Sequence, residues 1–178
     1  MSIQTTWAPE AVWCDEAQTY AVYWASNLYD KAAADRRNAV SYNRMMIATT
    51  NDFGTFSEPR VWIDVRRGPG YGTIDSTVVR HGDAYHRFTK DEQPEIMQVF
   101  QERSPELFRG TTDAARSAWE PVAERIGSDH VSHAEGPIVV PSLVDDRWFL
   151  LLDWPPYGGG EGYVLFETDD LDPGRWTP

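Results

Sequence analysis

The chain has 178 residues, with 28 acidic against 16 basic side chains, a net charge of −12 and a pI near 4.6. That length is one domain or part of one, and the charge excludes a nucleic-acid or anionic-membrane surface, because phosphate binding needs clustered Lys and Arg. No apolar run approaches the roughly 20 residues that span a bilayer, and the single cysteine, Cys14, allows neither an internal disulfide nor a multi-cysteine zinc site. Residues 1–6 lack the basic region and apolar core of a signal peptide, so the chain as written reads as cytoplasmic; an export signal on a preceding segment would make it secreted. Aromatic content is high at 13%, and 13 Gly and 12 Pro punctuate short apolar runs. This is the profile of an all-β protein. A mean hydropathy of −0.52 would suit disorder, but disordered segments are poor in aromatics.

In chain order, three segments share one layout: a start motif, a short strand, a polar turn and an aromatic-led return strand. The first starts at Trp7, turns through Asp15 to Gln18 and resumes at Tyr20 to Trp24. Its continuation predicts a strand at 45–49 and another around Arg60 to Trp62. The second starts at Asp75, turns at His81, Gly82 and Asp83, and resumes at Tyr85 to Phe88. Residues 94–102 fit either an amphipathic helix or a strand, and the repeat favours the strand. Residues 112–126, rich in Ala and Glu and interrupted by Pro121, predict a short helix or an inter-strand insertion. The third segment starts at Glu135, turns at Asp145 and Asp146, resumes at Trp148 to Leu152, and continues through 162–166 to Arg175 and Trp176.

The start residues Trp7, Asp75 and Glu135 stand two positions ahead of Pro9, Thr77 and Pro137, with separations of 68 and 60 residues. Each copy offers about four short strands in roughly 60 residues, the size of a large propeller blade. The expected domain is therefore a β-propeller unit over 1–178 with blade-like repeats near 5–66, 70–130 and 131–178. The Gly-rich stretches at 68–72 and 158–160 lack the lysine and helix context of a phosphate loop. His130 and His133 have no third metal ligand beside them, and no metal or cofactor is expected.

In a propeller, the starts of the innermost strands line the central pocket. Asp75 and Glu135 would converge there, with aromatic walls from Trp7, Trp24 and Trp154. Two carboxylates beside aromatic rings have the chemistry of glycoside cleavage: one acid protonates the leaving oxygen while another carboxylate activates water or attacks carbon. The acid must stay protonated near neutral pH, which burial and a nearby like charge both promote.

At these positions the sequence resembles glycoside hydrolase family 43. Thr-Trp-Ala-Pro-Glu at 6–10, Ala-Thr-Thr-Asn-Asp-Phe at 48–53, Ile-Asp-Ser-Thr-Val at 74–78, Phe-Thr-Lys-Asp-Glu at 88–92 and Glu-Gly-Pro at 135–137 carry the resemblance, in that order. It implies a five-bladed propeller that cleaves α-L-arabinofuranosides, β-xylosides or related pentose polymers with inversion. It makes Glu135 the general acid and Asp75 the third carboxylate, which tunes and orients the acid. The family's general base lies on the blade ahead of the Trp-Ala-Pro motif, so no residue here corresponds to it. The chain resembles blades two to four of five, and its open edges predict self-association. A non-catalytic carbohydrate-binding or interaction propeller is the alternative function.

Overall fold

The computed structural model describes residues 2–3, 6–29, 42–66, 71–112 and 119–178. These residues form strands β1 (Ser2–Ile3), β2 (Trp7–Cys14), β3 (Thr19–Tyr29), β4 (Asn43–Thr50), β5 (Arg60–Asp64), β6 (Thr73–His81), β7 (Ala84–Asp91), β8 (Val99–Ser104), β9 (Thr111–Thr112), β10 (Glu120–Ile126), β11 (Glu135–Pro141), β12 (Trp148–Trp154) and β13 (Gly162–Thr168). Among the described residues there is one 3-10 turn, Pro156–Gly158, and no α-helix.

Three antiparallel meanders give three blades of a propeller. The first sheet runs β2-β3-β4-β5; β1 pairs with the end of β3, and β9 adds to β5 in parallel. The second runs β6-β7-β8-β10 and the third β11-β12-β13. The third sheet has three named strands, and a bridge between Glu167 and Thr177 places the chain end along its outer edge. The hairpin from β6 to β7 turns at Gly82, whose φ of 59° suits the residue without a Cβ.

Within 94–102 the strand expected from the repeat holds for Val99 to Glu102, which belong to β8 and pair with β7, whereas 94–96 form a turn whose Ile96 N–H donates to the Gln93 carbonyl at 2.8 Å. The expected helix or insertion within 112–126 is instead β10 over its described part, the outermost strand of the second sheet, paired with β8. Edge pairing overrides the helical propensity of Ala and Glu here, and an edge strand tolerates Pro121 because one side of its ladder needs no donor. Residues 113–118 of that prediction, and 68–70 of the Gly-rich stretch, lie outside the described residues.

The core is two layers between three sheets. Tyr23, Met45, Ile47, Trp62 and Ile63 of the first sheet pack against Ile74, Val78, Tyr85 and Trp119 of the second side. Phe88, Val99 and Ile126 of the second pack against Val139, Leu150, Leu152 and Phe166 of the third. Period-two alternation explains the division, since β7 sends Tyr85 and Arg87 to the first layer and His86 and Phe88 to the second. The middle sheet is covered on both faces, so β7 is buried almost throughout. The flanking sheets keep one face open. Ile138, Val140, Tyr163 and Leu165 remain exposed on the third, while Pro9, Val22, Trp24, Ala48 and Phe56 line an apolar groove of about 290 Å³ on the first.

Candidate active site

Each innermost strand carries the same defect at its start. In β2 one extra residue lies between the Trp7–Ala25 and Glu10–Tyr23 pairs; in β6 it lies between Ile74–Lys90 and Ser76–Thr89; in β11 between Glu135–Asp153 and Ile138–Leu151. Ala8, Asp75 and Gly136 take positive φ at these bulges, with values of 43°, 50° and 53°. Glycine holds that conformation freely, Asp tolerates it better than most residues, and Ala is strained by about 1 kcal/mol or more.

The bulges correct the register read from the sequence. Glu135 matches Trp7 and Ile74 in the ladders, whereas Asp75 is the extra residue and matches Ala8 and Gly136. Asp75 and Glu135 are therefore offset by one residue. The offset lets the two strands meet: the Gly136 backbone N–H donates to Asp75 Oδ2 at 3.3 Å, across the seam between the second and third sheets.

Four further groups complete the cluster. Lys90, almost fully buried on β7, donates from Nζ to Glu135 Oε2 and to Tyr157 Oη, the latter at 3.3 Å. Tyr157, on the 3-10 turn, donates its own proton to Glu135 Oε2 at 2.5 Å. Glu92, just after β7, is held by Asn43 Nδ2 of the first sheet at 2.6 Å. Glu10 accepts from Tyr23 Oη at 3.2 Å and from Thr77, and lies in the field of Asp75.

Burial raises the Asp75 carboxyl above its ordinary range, and the like charges of Glu135 and Glu92 add to this; Lys90 and the Gly136 N–H oppose it. Glu10 is raised by burial and by Asp75, tempered by its Thr77 and Tyr23 hydrogen bonds. At Glu135 burial also works against the charge, but the Lys90 and Tyr157 hydrogen bonds, the Lys90 charge and His133 outweigh it, so its carboxyl falls below the ordinary value. The two carboxyls are thus shifted in opposite directions, Asp75 toward holding its proton and Glu135 toward the carboxylate.

The three aromatic residues expected as a sugar platform are dispersed. Trp7 is 57% exposed beside the first bulge. Trp24 belongs to the apolar groove on the open face of the first sheet. Trp154 lines a separate hollow of about 370 Å³ with Tyr163 and Val164, and its Nε1 donates to the Gly158 carbonyl at 3.1 Å. His130 and His133 pack against different rings, Phe166 and Tyr157.

Lys90 and Tyr157 were not singled out by sequence reasoning. Lys90 lay in view, inside the Phe-Thr-Lys-Asp-Glu motif and two positions from Phe88, hence on the same inward strand face. Tyr157 sits in a Gly- and Pro-rich turn, where no periodic pattern says which side chain faces the site.

The pattern of a family described as a probable glycosyl hydrolase domain, related to glycoside hydrolase family 43, matches residues 1–178. The chain belongs to this family. It is 33% identical over 178 residues to an α-L-arabinofuranosidase of Bifidobacterium longum subsp. longum, a match covering 92% of this chain and 16% of that protein. Its fold is similar to the crystal structure of an α-L-arabinofuranosidase from Lactobacillus brevis, with a TM-score of 0.60 and 17% identity, covering 98% of this chain and 54% of that one. It is also similar to a thermostable family-43 glycoside hydrolase, with a TM-score of 0.66 and 8% identity, covering 95% and 56% of the two chains. The chain therefore spans about half of these structures and about a sixth of the curated relative.

Proposed function

We propose that this domain carries the acid-side carboxylates of a pentose-directed glycosidase, of α-L-arabinofuranosidase or β-xylosidase type, acting with inversion. The observation that carries the reading is the seam itself: the Gly136 backbone N–H of β11 donates to the Asp75 carboxyl of β6, which brings Asp75 and Glu135 to one place in unlike environments. Glu135 is assigned proton donation to the glycosidic oxygen, and Asp75 its tuning and orientation. The water-activating carboxylate is assigned to another blade, since inverting enzymes keep their two catalytic carboxyls roughly 6.5–9.5 Å apart on opposite sides of the sugar. The Bifidobacterium relative, named for arabinofuranose cleavage, supports this substrate class. Trp7, which holds in its own sheet the ladder place that Glu135 holds in the third, is the proposed sugar-stacking wall, with Trp24 and Trp154 as the further aromatic candidates.

The test is hydrolysis of arabinofuranosyl and xylosyl oligosaccharides by the chain assembled with a blade that bears the water-activating carboxylate, and by the same assembly carrying Glu135→Gln. Cleavage lost on substitution supports the assignment, and cleavage retained removes it. Sugar binding that survives Glu135→Gln without turnover in either form would instead support a carbohydrate-binding domain. Self-association is part of the proposal, through the open apolar faces of the first and third sheets. Light scattering on the purified chain should give a mass above 20.3 kDa, and a stable monomer would refute it.

A further inference from the structure

A general acid must hold a proton on the oxygen it offers, yet Glu135 Oε2 receives two donors, the Lys90 ammonium and the Tyr157 hydroxyl. The ammonium cannot be treated as a solvated surface charge. Lys90 is 3% exposed, and it stands opposite Ile74 in the ladder, immediately before the bulge that turns Asp75. Its charge therefore acts on Asp75 of its own sheet as well as on Glu135 of the next.

We propose that Lys90 is a positioning residue, a buried ammonium that ties Glu135 to the second sheet and sets how readily its carboxyl holds a proton. The inference rests on the glycosidase reading of the seam. With Lys90 Nζ and Tyr157 Oη both on Glu135 Oε2, that oxygen is fixed as an acceptor, and the buried ammonium favours the carboxylate form of Glu135 while anchoring its side chain to β7. The groups facing Lys90 are Asp75 on β6, Glu135 on β11 and Tyr157 on the 3-10 turn. Glu92 after β7 and His133 before β11 act on the two carboxyls from either side.

Carbon-13 NMR titration of the Glu135 and Asp75 carboxyls in the full chain tests this directly. Lys90→Met should raise the Glu135 midpoint by more than about one pH unit. Lys90→Arg, which keeps the charge, should leave the Glu135 midpoint close to that of the wild type, a rescue that a purely packing role would not give. Tyr157→Phe, on a turn where Tyr157 is 63% exposed, should raise Glu135 by a smaller step and leave Asp75 in place. An unmoved Glu135 midpoint in Lys90→Met, or equal shifts in the Met and Arg variants, would overturn the proposal. If Lys90→Met does not fold, an unmoved midpoint in Tyr157→Phe overturns it equally. Sugar turnover is not needed for any of these readings, so failure of the glycosidase assignment and failure of the Lys90 role are separately visible.

Discussion

His86 should make the chain lose stability on mild acidification. Its ring is fully buried between the second and third sheets. Gln101 fixes the tautomer. Its Oε1 accepts from Trp176 Nε1 at 3.2 Å and its Nε2 donates to the Leu171 carbonyl at 2.8 Å. The remaining Gln101 N–H therefore meets His86 Nδ1 at 3.0 Å as an acceptor, and the ring proton sits on Nε2. Nε2 has no hydrogen-bond partner, and Asp172 lies 3.6 Å away, too far for a hydrogen bond. Burial lowers the His86 pKa from 6.5 to about 4, against the partial counter-effect of Asp172.

The unfolded chain then takes up a proton near pH 6.5 while the folded chain refuses it until about pH 4. The stabilising difference is complete above pH 6.5 and is lost as pH falls. At about 1.36 kcal/mol per pH unit, this removes ~2 kcal/mol by pH 5 and ~3 kcal/mol by pH 4. Glu16 and Asp145, each with a pKa of about 2, stay charged through this window. Glu10 and Asp75, both raised, act in the opposite direction. Comparing wild type with His86→Gln by urea unfolding between pH 7.5 and 5 cancels them. The stability gap between the two proteins should shrink by ~2 kcal/mol across that range. A gap constant to within about 0.5 kcal/mol would refute the argument.

Two further substitutions test the packing of the layers. Arg87 is fully buried, stacked 4.0 Å from the centre of Trp119 and 4.6 Å from that of Trp62, and paired with Glu102 at 2.6 Å. Arg87→Met should cost ~3–5 kcal/mol because it strands a carboxylate, and Arg87→Met with Glu102→Leu should recover much of that in the same unfolding assay. Leu150 is fully buried in the second layer, so Leu150→Ala should cost about 2–5 kcal/mol in urea unfolding.

Much of this architecture could be read from the sequence where local and tertiary preferences agree. The β6–β7 hairpin is announced by His81-Gly82-Asp83, and β12 by the alternation that buries Leu150 and Leu152. The strand starts were legible too, because Pro and Gly mark them. The bulges were not, since an extra residue in one strand is visible only against its partner. That is why Asp75 came out one position displaced from Glu135. β10 was missed because its identity comes from pairing with β8 rather than from its own Ala- and Glu-rich composition. The Asp75–Glu135 pairing followed from propeller geometry and the family resemblance. The cation between them did not, because a buried lysine is defined by contacts 45 and 67 residues away in the chain.

The central claim is the proposal that Glu135 of the Asp75–Glu135 seam is the proton donor of a pentoside-cleaving site whose water-activating carboxylate lies on another blade. The most direct measurement is product release from α-L-arabinofuranosyl oligosaccharides, whose poor leaving groups require protonation, by the wild-type chain beside Glu135→Gln, each assembled with a blade that bears the water-activating carboxylate. The account predicts cleavage by the wild type and a loss of at least about 100-fold in the variant, the usual scale for an essential general acid. Equal cleavage by both proteins, or none by either, would contradict it.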